Sequence, residues 1–262
     1  MGRDFRGRTA VYYAKYRRGY PPPAVDAIAD AFGLGDDDVV VDLGCGTGQL
    51  SLPLAARVRA VVGLDPEPDM LALARRTADA HGVANASWWL GADSDLPALR
   101  HVLGDRSVGA VTIAVAIHWM ERDTLFRNIR PLLRPGGGVA VVTNGTPLWL
   151  QDTEWSRILS DCLEQWTGKR PTAACQTDEA GRRLNREALT STGYRVVESS
   201  VDYEAEVSVE QLVGGVFSAM SAHQLRPAAG REAFAARVRA ALAGHGPLLE
   251  HVRVWLQFGH LA

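Results

Sequence analysis

An open, mostly parallel α/β sheet with helices on both faces is the fold this chain predicts, and three observations predict it. Short β-branched runs alternate with helix-like apolar patterns from residue 39 to residue 143, the order that builds a parallel sheet. The first run, Val39–Leu43, passes directly into a turn with glycines at 44, 46 and 48. The second, Ala60–Leu64, is followed at once by Asp65. An acid about twenty residues beyond such glycines suits a ribose hydroxyl pair, so the pattern points to an adenosine-type cofactor.

Each element has its own signal. Residues 7–32 read as helical, broken at Tyr20-Pro-Pro-Pro23. Val39–Leu43 is a buried strand. The glycines after it admit positive φ and let a ligand approach where a Cβ would stand. A helix follows from Gly48 to Arg57, then the strand Ala60–Leu64. The helix from about Glu67 to Ala80 carries Met70, Leu71, Ala74 and Ala78 on one face, and Gly82 supplies its stop. Strands are expected at Ala86–Leu90, before Gly91-Ala-Asp93, and at Val108–Val115. The next helix opens at Asp123 with Leu125, Phe126, Ile129, Leu132 and Leu133 on its apolar stripe. Pro135-Gly-Gly-Gly138 ends it and leads into the strand Val139–Thr143.

Beyond Asn144 the alternation stops. Helices are expected at 152–166, 183–192, 208–219 and 230–243, and a strand at 195–203. The last segment alternates, with Val252, Val254, Leu256 and Phe258 on one side and Arg253, Trp255 and Gln257 on the other. That is a half-buried strand of the antiparallel kind.

Composition narrows the function. Apolar residues make up 47% of 262, enough for a sizeable core, and the net charge is −2. A nucleic-acid partner would leave a basic stripe. The one basic concentration, Arg3, Arg6, Arg8, Lys15, Arg17 and Arg18, reads as a solvated helix face. Three cysteines, 45, 162 and 175, are an odd number without metal-type spacing. No metal is expected, and the usage suits a reducing, cytoplasmic compartment. Cys45 reads as a small apolar filler of the turn. The polar, basic N-terminal stretch does not read as a secretory signal, and no membrane span is expected.

The motifs resemble a known family. Asp42-Leu-Gly-Cys-Gly-Thr-Gly48 is similar to the first motif of class I S-adenosylmethionine (SAM) methyltransferases. Gly63-Leu-Asp65 with Met70-Leu71, then Gly91-Ala-Asp93, then Leu133-Arg-Pro-Gly-Gly-Gly138 resemble the later ones in order. Tyr16-Arg-Arg-Gly-Tyr-Pro21 and Ala116-Ile-His-Trp119 resemble the type 11 branch that includes trans-aconitate methyltransferase-like proteins. The resemblance covers roughly residues 10–145. It implies a seven-stranded Rossmann-like sheet with an antiparallel last strand, in one domain over 1–262. Within it, 1–35 would form cap helices, 36–144 the SAM-binding core, and 145–262 an acceptor lid and C-terminal strands.

Carried over by position, the resemblance implies that Gly44 and Gly46 line the methionine part of SAM and that Asp42 lies near its amino group. Asp65 accepts the ribose hydroxyls, with Pro66 following it and Met70 near the adenine. Asp93 bonds the adenine amine, with Ser94 beside it, and Ala114 lies by the methionine end. Tyr16 and Arg17 are expected to close over the cofactor. Each has a plainer rival: a strand-end Asp can cap a helix, and a helical Met is usually core.

Methyl transfer from a sulfonium is an in-line displacement with a neutral leaving group, so alignment and a dry pocket do most of the work. His118, after the strand Val108–Val115, is the candidate base or orienter for an acceptor that must lose a proton. A structural His bonded to a backbone carbonyl is the alternative. Acceptor contacts are expected from Tyr12, Tyr13, Trp119, Asn144, Trp149, Phe217 and His223, with Trp155, Trp166 and Met220 nearby in sequence. The expected acceptor is a small molecule, methylated on O or N. Asp152, Glu154, Asp178 and Glu179 raise the case of a cationic one such as an amino sugar. Arg170, Arg182, Arg183 and Arg226 raise that of a carboxylate. The Asn/Asp-Pro-Pro-aromatic element of DNA base methylation is missing from Ala114-Val-Ala-Ile117.

Two rivals remain. A SAM-binding regulator without turnover would keep the same turn. A nicotinamide oxidoreductase would want Gly-x-Gly-x-x-Gly, whereas here the third glycine comes one residue early and position 49 is Gln. Asp42 would also repel a phosphate.

Overall fold

The computed structural model describes residues 4–172 and 175–261. Arg3 lies outside them. The elements, in chain order, are α1 Arg8–Tyr16, α2 Pro22–Phe32, β1 Val39–Leu43, α3 Ser51–Ala55, β2 Ala60–Asp65, α4 Pro68–Ala80, β3 Ala86–Leu90, α5 Leu96–Leu103, β4 Val108–Ala114, α6 Arg122–Ile129, β5 Leu133–Val142, α7 Glu154–Thr167, α8 Glu179–Ser191, β6 Tyr194–Glu206, α9 Val209–Ser218, α10 Ala228–Ala241 and β7 Leu249–Leu261. The strands form one sheet in the order β3-β2-β1-β4-β5-β7-β6. Strands β1 to β5 pair in parallel and β7 is antiparallel to β5. This is the Rossmann-like seven-stranded sheet that the sequence led us to expect.

The chain forms two compact units. A core unit comprises 18–144, 175–201 and 254–262, and a helical unit comprises 1–17, 145–174 and 202–253. The expected cap segment 1–35 is divided between them. In the core unit β1 is buried at every position, and Leu43, Ile113, Phe126, Ile129, Leu132 and Val141 belong to one apolar cluster. The helical unit has its own cluster, with Trp155, Leu159, Leu212, Phe217, Phe234 and Val238.

Several local expectations are corrected. The helix after the glycine turn is shorter than 48–57, covering Ser51–Ala55. Glu121 caps α6 in place of Asp123: its carboxylate accepts the Thr124 N–H at 2.8 Å and the Asp123 N–H at 3.4 Å. The glycines at 136–138 do not simply end a helix but lie within β5. A Cβ on Gly138 would overlap the Phe32 ring and the Gly259 carbonyl, so the missing side chain lets β5, α2 and β7 approach closely. Helix α5 was not expected. Helix α8 starts at Glu179, four residues early, because Asp178 accepts the Gly181 N–H at 2.9 Å.

Strand β7 buries Val252, Val254, Leu256 and Phe258 as the alternation predicts, but it also buries Gln257, at 1% exposure. Gln257 donates to the Arg182 carbonyl at 2.9 Å and to Glu198 at 2.7 Å, and accepts from Asn185 at 3.2 Å. Asn185 in turn accepts from Arg122 at 2.8 Å. A buried amide is tolerated when its donors and acceptors are met in this way.

Candidate active site

The site begins at the carboxyl end of β1. Asp42 is 1% exposed. Its two oxygens accept from Ser51 Oγ at 2.5 Å and Thr112 Oγ1 at 2.7 Å. Thr112 comes from β4, where the parallel register sets it beside Asp42. Burial pushes the Asp42 carboxyl up to about 6; the two hydroxyls oppose the rise and the nearby Asp65 charge adds to it.

The chain then turns with Gly44, Gly46 and Gly48 all at positive φ, 68°, 56° and 85°. Gly44 and Cys45 both donate their N–H to the Leu64 carbonyl, at 2.8 and 3.0 Å, which ties the turn to the end of β2. Asp65 closes the arrangement. One carboxylate oxygen accepts the Gly46 N–H at 3.0 Å and the other the Glu67 N–H at 2.9 Å. The carboxylate is thus held in place by two backbone N–H groups. Inside the same turn the Thr47 hydroxyl is buried with no partner among the described residues. A polar atom in that position wants a ligand or a water.

Of the rest of the expected cofactor set, Pro66, Met70, Asp93, Ser94 and Ala114 lie in the core unit, and Tyr16 and Arg17 in the helical unit. Pro66 is exposed just after Asp65, and Met70 is buried in α4. Asp93 is half-buried and Ser94 exposed in a short 3-10 turn after β3. Asp95 accepts the Ala92 N–H at 2.8 Å, and Gly91 donates to the Asp65 carbonyl at 3.2 Å. The Asp65 and Asp93 loops are therefore adjacent.

Strand β4 ends at Ala114, and Val115 has φ 51°. A β-branched residue in the left-handed region is a true outlier, and such strain collects at functional sites. Its N–H bonds the Val142 carbonyl at 2.9 Å. The chain is thereby redirected so that Ala116 packs on the glycine turn: a Cβ on Gly44 would lie 2.6 Å from the Ala116 Cβ and 3.7 Å from Met120 Cε. The next turn, Ile117–Trp119, carries half-buried His118 against Trp119, ring centroids 4.7 Å apart, with Trp119 44% exposed. Asn144 follows β5; its side chain donates to the Gly19 carbonyl at 3.1 Å and its own carbonyl accepts from Arg18 at 3.0 Å. An open cleft of about 510 Å³ beside α6 and α8 shares Met120, but it includes no residue of the glycine turn.

The other residues singled out belong to the helical unit. Tyr16 donates to Glu210 at 2.7 Å, shared with Lys15 at 2.9 Å, and its ring fills the space a side chain on Gly214 would need. Arg17 stacks over the Tyr13 ring at 5.0 Å. Tyr12 meets Phe217 edge-on at 5.1 Å, and Phe217 is buried in that unit's core. Trp149 donates to the Thr172 carbonyl at 3.3 Å, and Trp155 to the Leu249 carbonyl at 2.8 Å. His223 is exposed beside Asp4 at 3.4 Å.

The charged candidates cap helices, form ion pairs or stack on indoles, Arg182 lying 4.2 Å from the Trp255 ring centroid. Asp178 caps α8, Glu179 pairs with Arg182 at 2.5 Å, and Asp152 pairs with Arg157 at 3.2 Å. Arg183 pairs with Glu187 at 3.7 Å, and Arg226 lies over Trp166 at 5.3 Å.

Sequence reasoning missed Thr47, Ser51, Thr112 and Ala116. A lone Thr in the apolar run Val-Gly-Ala-Val-Thr-Ile-Ala was the one available signal for Thr112.

Residues 40–137 match the family described as methyltransferase domain. An uncharacterized methyltransferase of Mycobacterium tuberculosis is 37% identical over 138 residues, 53% of this chain and 51% of that one. A ubiquinone/menaquinone biosynthesis C-methyltransferase of Rubrivivax gelatinosus is 35% identical over 111 residues, 42% of this chain and 41% of that one. The chain spans about half the length of the curated relatives it matches. Among solved structures, a protein of Anaeromyxobacter dehalogenans provisionally named a type II methyltransferase aligns with TM-score 0.64 and 22% identity, over 94% of this chain and 97% of that one. A precorrin 8W decarboxylase of Methanobacterium thermoautotrophicum aligns with TM-score 0.56 and 16% identity, over 99% of both chains. At those identities the alignments speak for the fold alone, and fold does not fix chemistry. Residues 40–137 thus match a methyltransferase domain, and the sheet has the fold of the solved neighbours.

Proposed function

We propose that this protein binds SAM at the glycine turn and transfers its methyl group to an oxygen or nitrogen of a small molecule, a bacterial metabolite or natural product. The observation that carries the reading is Asp65, fixed by the N–H groups of Gly46 and Glu67 beside a side-chain-free turn. A carboxylate pre-aligned by backbone loses little entropy on accepting a diol.

The residues present fit that cofactor. Asp65 would take the ribose, Asp93 and Ser94 the adenine edge with Met70 beneath, and Gly44, Gly46 and Ala114 would admit the amino-acid end. Thr47 offers that end a hydroxyl otherwise unmet, and buried Asp42 supplies negative charge near an ammonium. When bound, SAM supplies a methyl group on a sulfonium. The protein's task is to hold the acceptor in line and exclude water. His118 would orient the acceptor or take its proton, with Trp119 offering an apolar face. No metal and no nucleic acid enter this reading. An amino-sugar acceptor has less support than a neutral one, because Asp178 caps a helix, Asp152 and Glu179 pair with arginines and Glu154 lies by His245.

Calorimetry with S-adenosylhomocysteine tests the cofactor. Wild type should bind it, and Asp65→Ala should weaken binding roughly 10–100-fold, as loss of charge-assisted hydrogen bonds implies. Binding of NAD(P) with no response to S-adenosylhomocysteine would reject the reading. A panel of small hydroxyl and amine acceptors, read by mass spectrometry, tests the reaction. His118→Ala should then lower kcat while S-adenosylhomocysteine affinity stays unchanged.

A further inference from the structure

We propose that the outer edge of β3 is a homodimer interface, pairing antiparallel with β3 of a second copy of this chain about a two-fold axis at Trp88. The inference is independent of the reaction assigned above. Strand β3 ends the sheet, with β2 on one side and no strand on the other among the described residues. It is Ala86-Ser87-Trp88-Trp89-Leu90, without a charge or a proline. Native proteins guard sheet edges with charges, prolines or bulges. The opposite edge follows that rule, since β6 carries Arg195, Glu198, Asp202, Glu204 and Glu206. On β3, Trp89 is 40% and Leu90 67% exposed.

The hydrogen-bond pattern selects the register. The Asn85 carbonyl accepts from Val61, and the Gly91 N–H donates to Asp65. Odd-numbered residues thus face β2, and by alternation the N–H and C=O of Ala86, Trp88 and Leu90 point outward. An antiparallel copy centred on Trp88 puts Trp88 opposite Trp88 and Ala86 opposite Leu90. Those are the positions that exchange both backbone bonds in an antiparallel ladder.

Side-chain sizes suit the same register. Opposed residues share a face, so each Leu90 meets the second copy's Ala86 and each Trp89 meets its Ser87, large against small. The Trp88 pair does not crowd, because each indole lies back over its own sheet. It occupies the space a Cβ on Gly63 would need, at 2.8 Å, and reaches within 3.0 Å of one on Gly48. A two-fold pairing closes at two copies. A five-residue seam is short beside the roughly 20–30 residues a side of a standard interface, so the dimer should be weak, dissociating in the micromolar range.

Sedimentation velocity on the full chain, from micromolar to hundreds of micromolar, tests this. Wild type should move from monomer to dimer as concentration rises. Leu90→Lys and Ser87→Lys, both at exposed positions, should each raise the dissociation constant at least about tenfold, with unchanged circular dichroism and melting temperature. Should one of them fail to fold, the other decides. A wild type that stays monomeric throughout, one that grows past a dimer, or folded variants that dimerise like wild type would each overturn the proposal.

Discussion

The Cβ of Ala116 stands 2.6 Å from where a Cβ on residue 44 would have to be. The turn after β1 and the segment after β4 are therefore interlocked. Gly44 is glycine for two reasons, its φ of 68° and this neighbour.

Gly44→Ala should consequently destabilise the protein by about 3 kcal/mol, combining left-handed strain with overpacking. Adding Ala116→Gly removes the collision and leaves the strain, so the double variant should recover about 1 kcal/mol. Urea unfolding of the four members of the cycle measures this coupling. Strict additivity would mean that the two side chains do not meet.

At Val115 the usual order of side-chain deletions should invert. Val115→Ala removes two methyl groups and keeps the left-handed cost. Val115→Gly removes the Cβ responsible for it. We expect the glycine variant to be the more stable of the two by about 1 kcal/mol, as thermal unfolding will report.

Asp42 makes stability depend on pH in an unusual direction. Its folded pKa, about 6, lies above the ordinary value of 3.8, so the folded state holds a proton that the unfolded state has released. The stabilising contribution is fully present below about 4 and is lost as pH rises through 6. The amount is about 3 kcal/mol at 1.36 kcal/mol per pH unit. Asp42→Asn keeps the shape without the charge. It should raise the melting temperature at pH 8, with the gain fading toward pH 4, and weaken S-adenosylhomocysteine binding. A less stable variant at pH 8 would contradict the assignment.

Asp38 behaves in the opposite sense. The Arg134 guanidinium bonds its carboxylate at 2.5 and 3.0 Å and holds its pKa below the usual range. That stability is present above the ordinary carboxylate value and is lost as pH falls through the lowered one. Arg134 also donates to the Phe32 and Gly33 carbonyls at the end of α2. Arg134→Ala leaves a largely buried carboxylate unpaired and should cost about 3 kcal/mol at pH 7. The penalty should shrink under acid conditions in parallel urea titrations.

What could be read from the sequence was what is local in it. The strand, glycine turn and acid of β1, and the strand and acid of β2, are contiguous signals, and the structure joins them through the N–H of Gly46 and the Asp65 carboxylate. Thr112 and Ala116 could not be read in the same way. Thr112 bonds Asp42 across 70 residues, and the β1–β4 register that brings them together is a property of the assembled sheet. Gly138 misled for a related reason. Glycine is needed there to let Phe32 and Gly259 approach, yet beside Pro135 it reads as a turn. Gln257 fell on the expected polar side of β7 and is buried because Asn185 and Glu198, distant in sequence, complete its hydrogen bonds. The helical unit is assembled from three separated stretches, so its core is likewise not a contiguous signal.

Cys45 sits within the glycine turn at 6% exposure, its sulfur 2.9 Å from the position of a Cβ on Gly63. Burial, then the charges of Asp42 and Asp65, push its thiol well above the ordinary range. Thiolate chemistry is thus suppressed twice over while the turn is closed. The turn thereby contains its own chemical clock: alkylation of this sulfur counts the moments at which the loop opens, and a nucleoside seated there should slow the count.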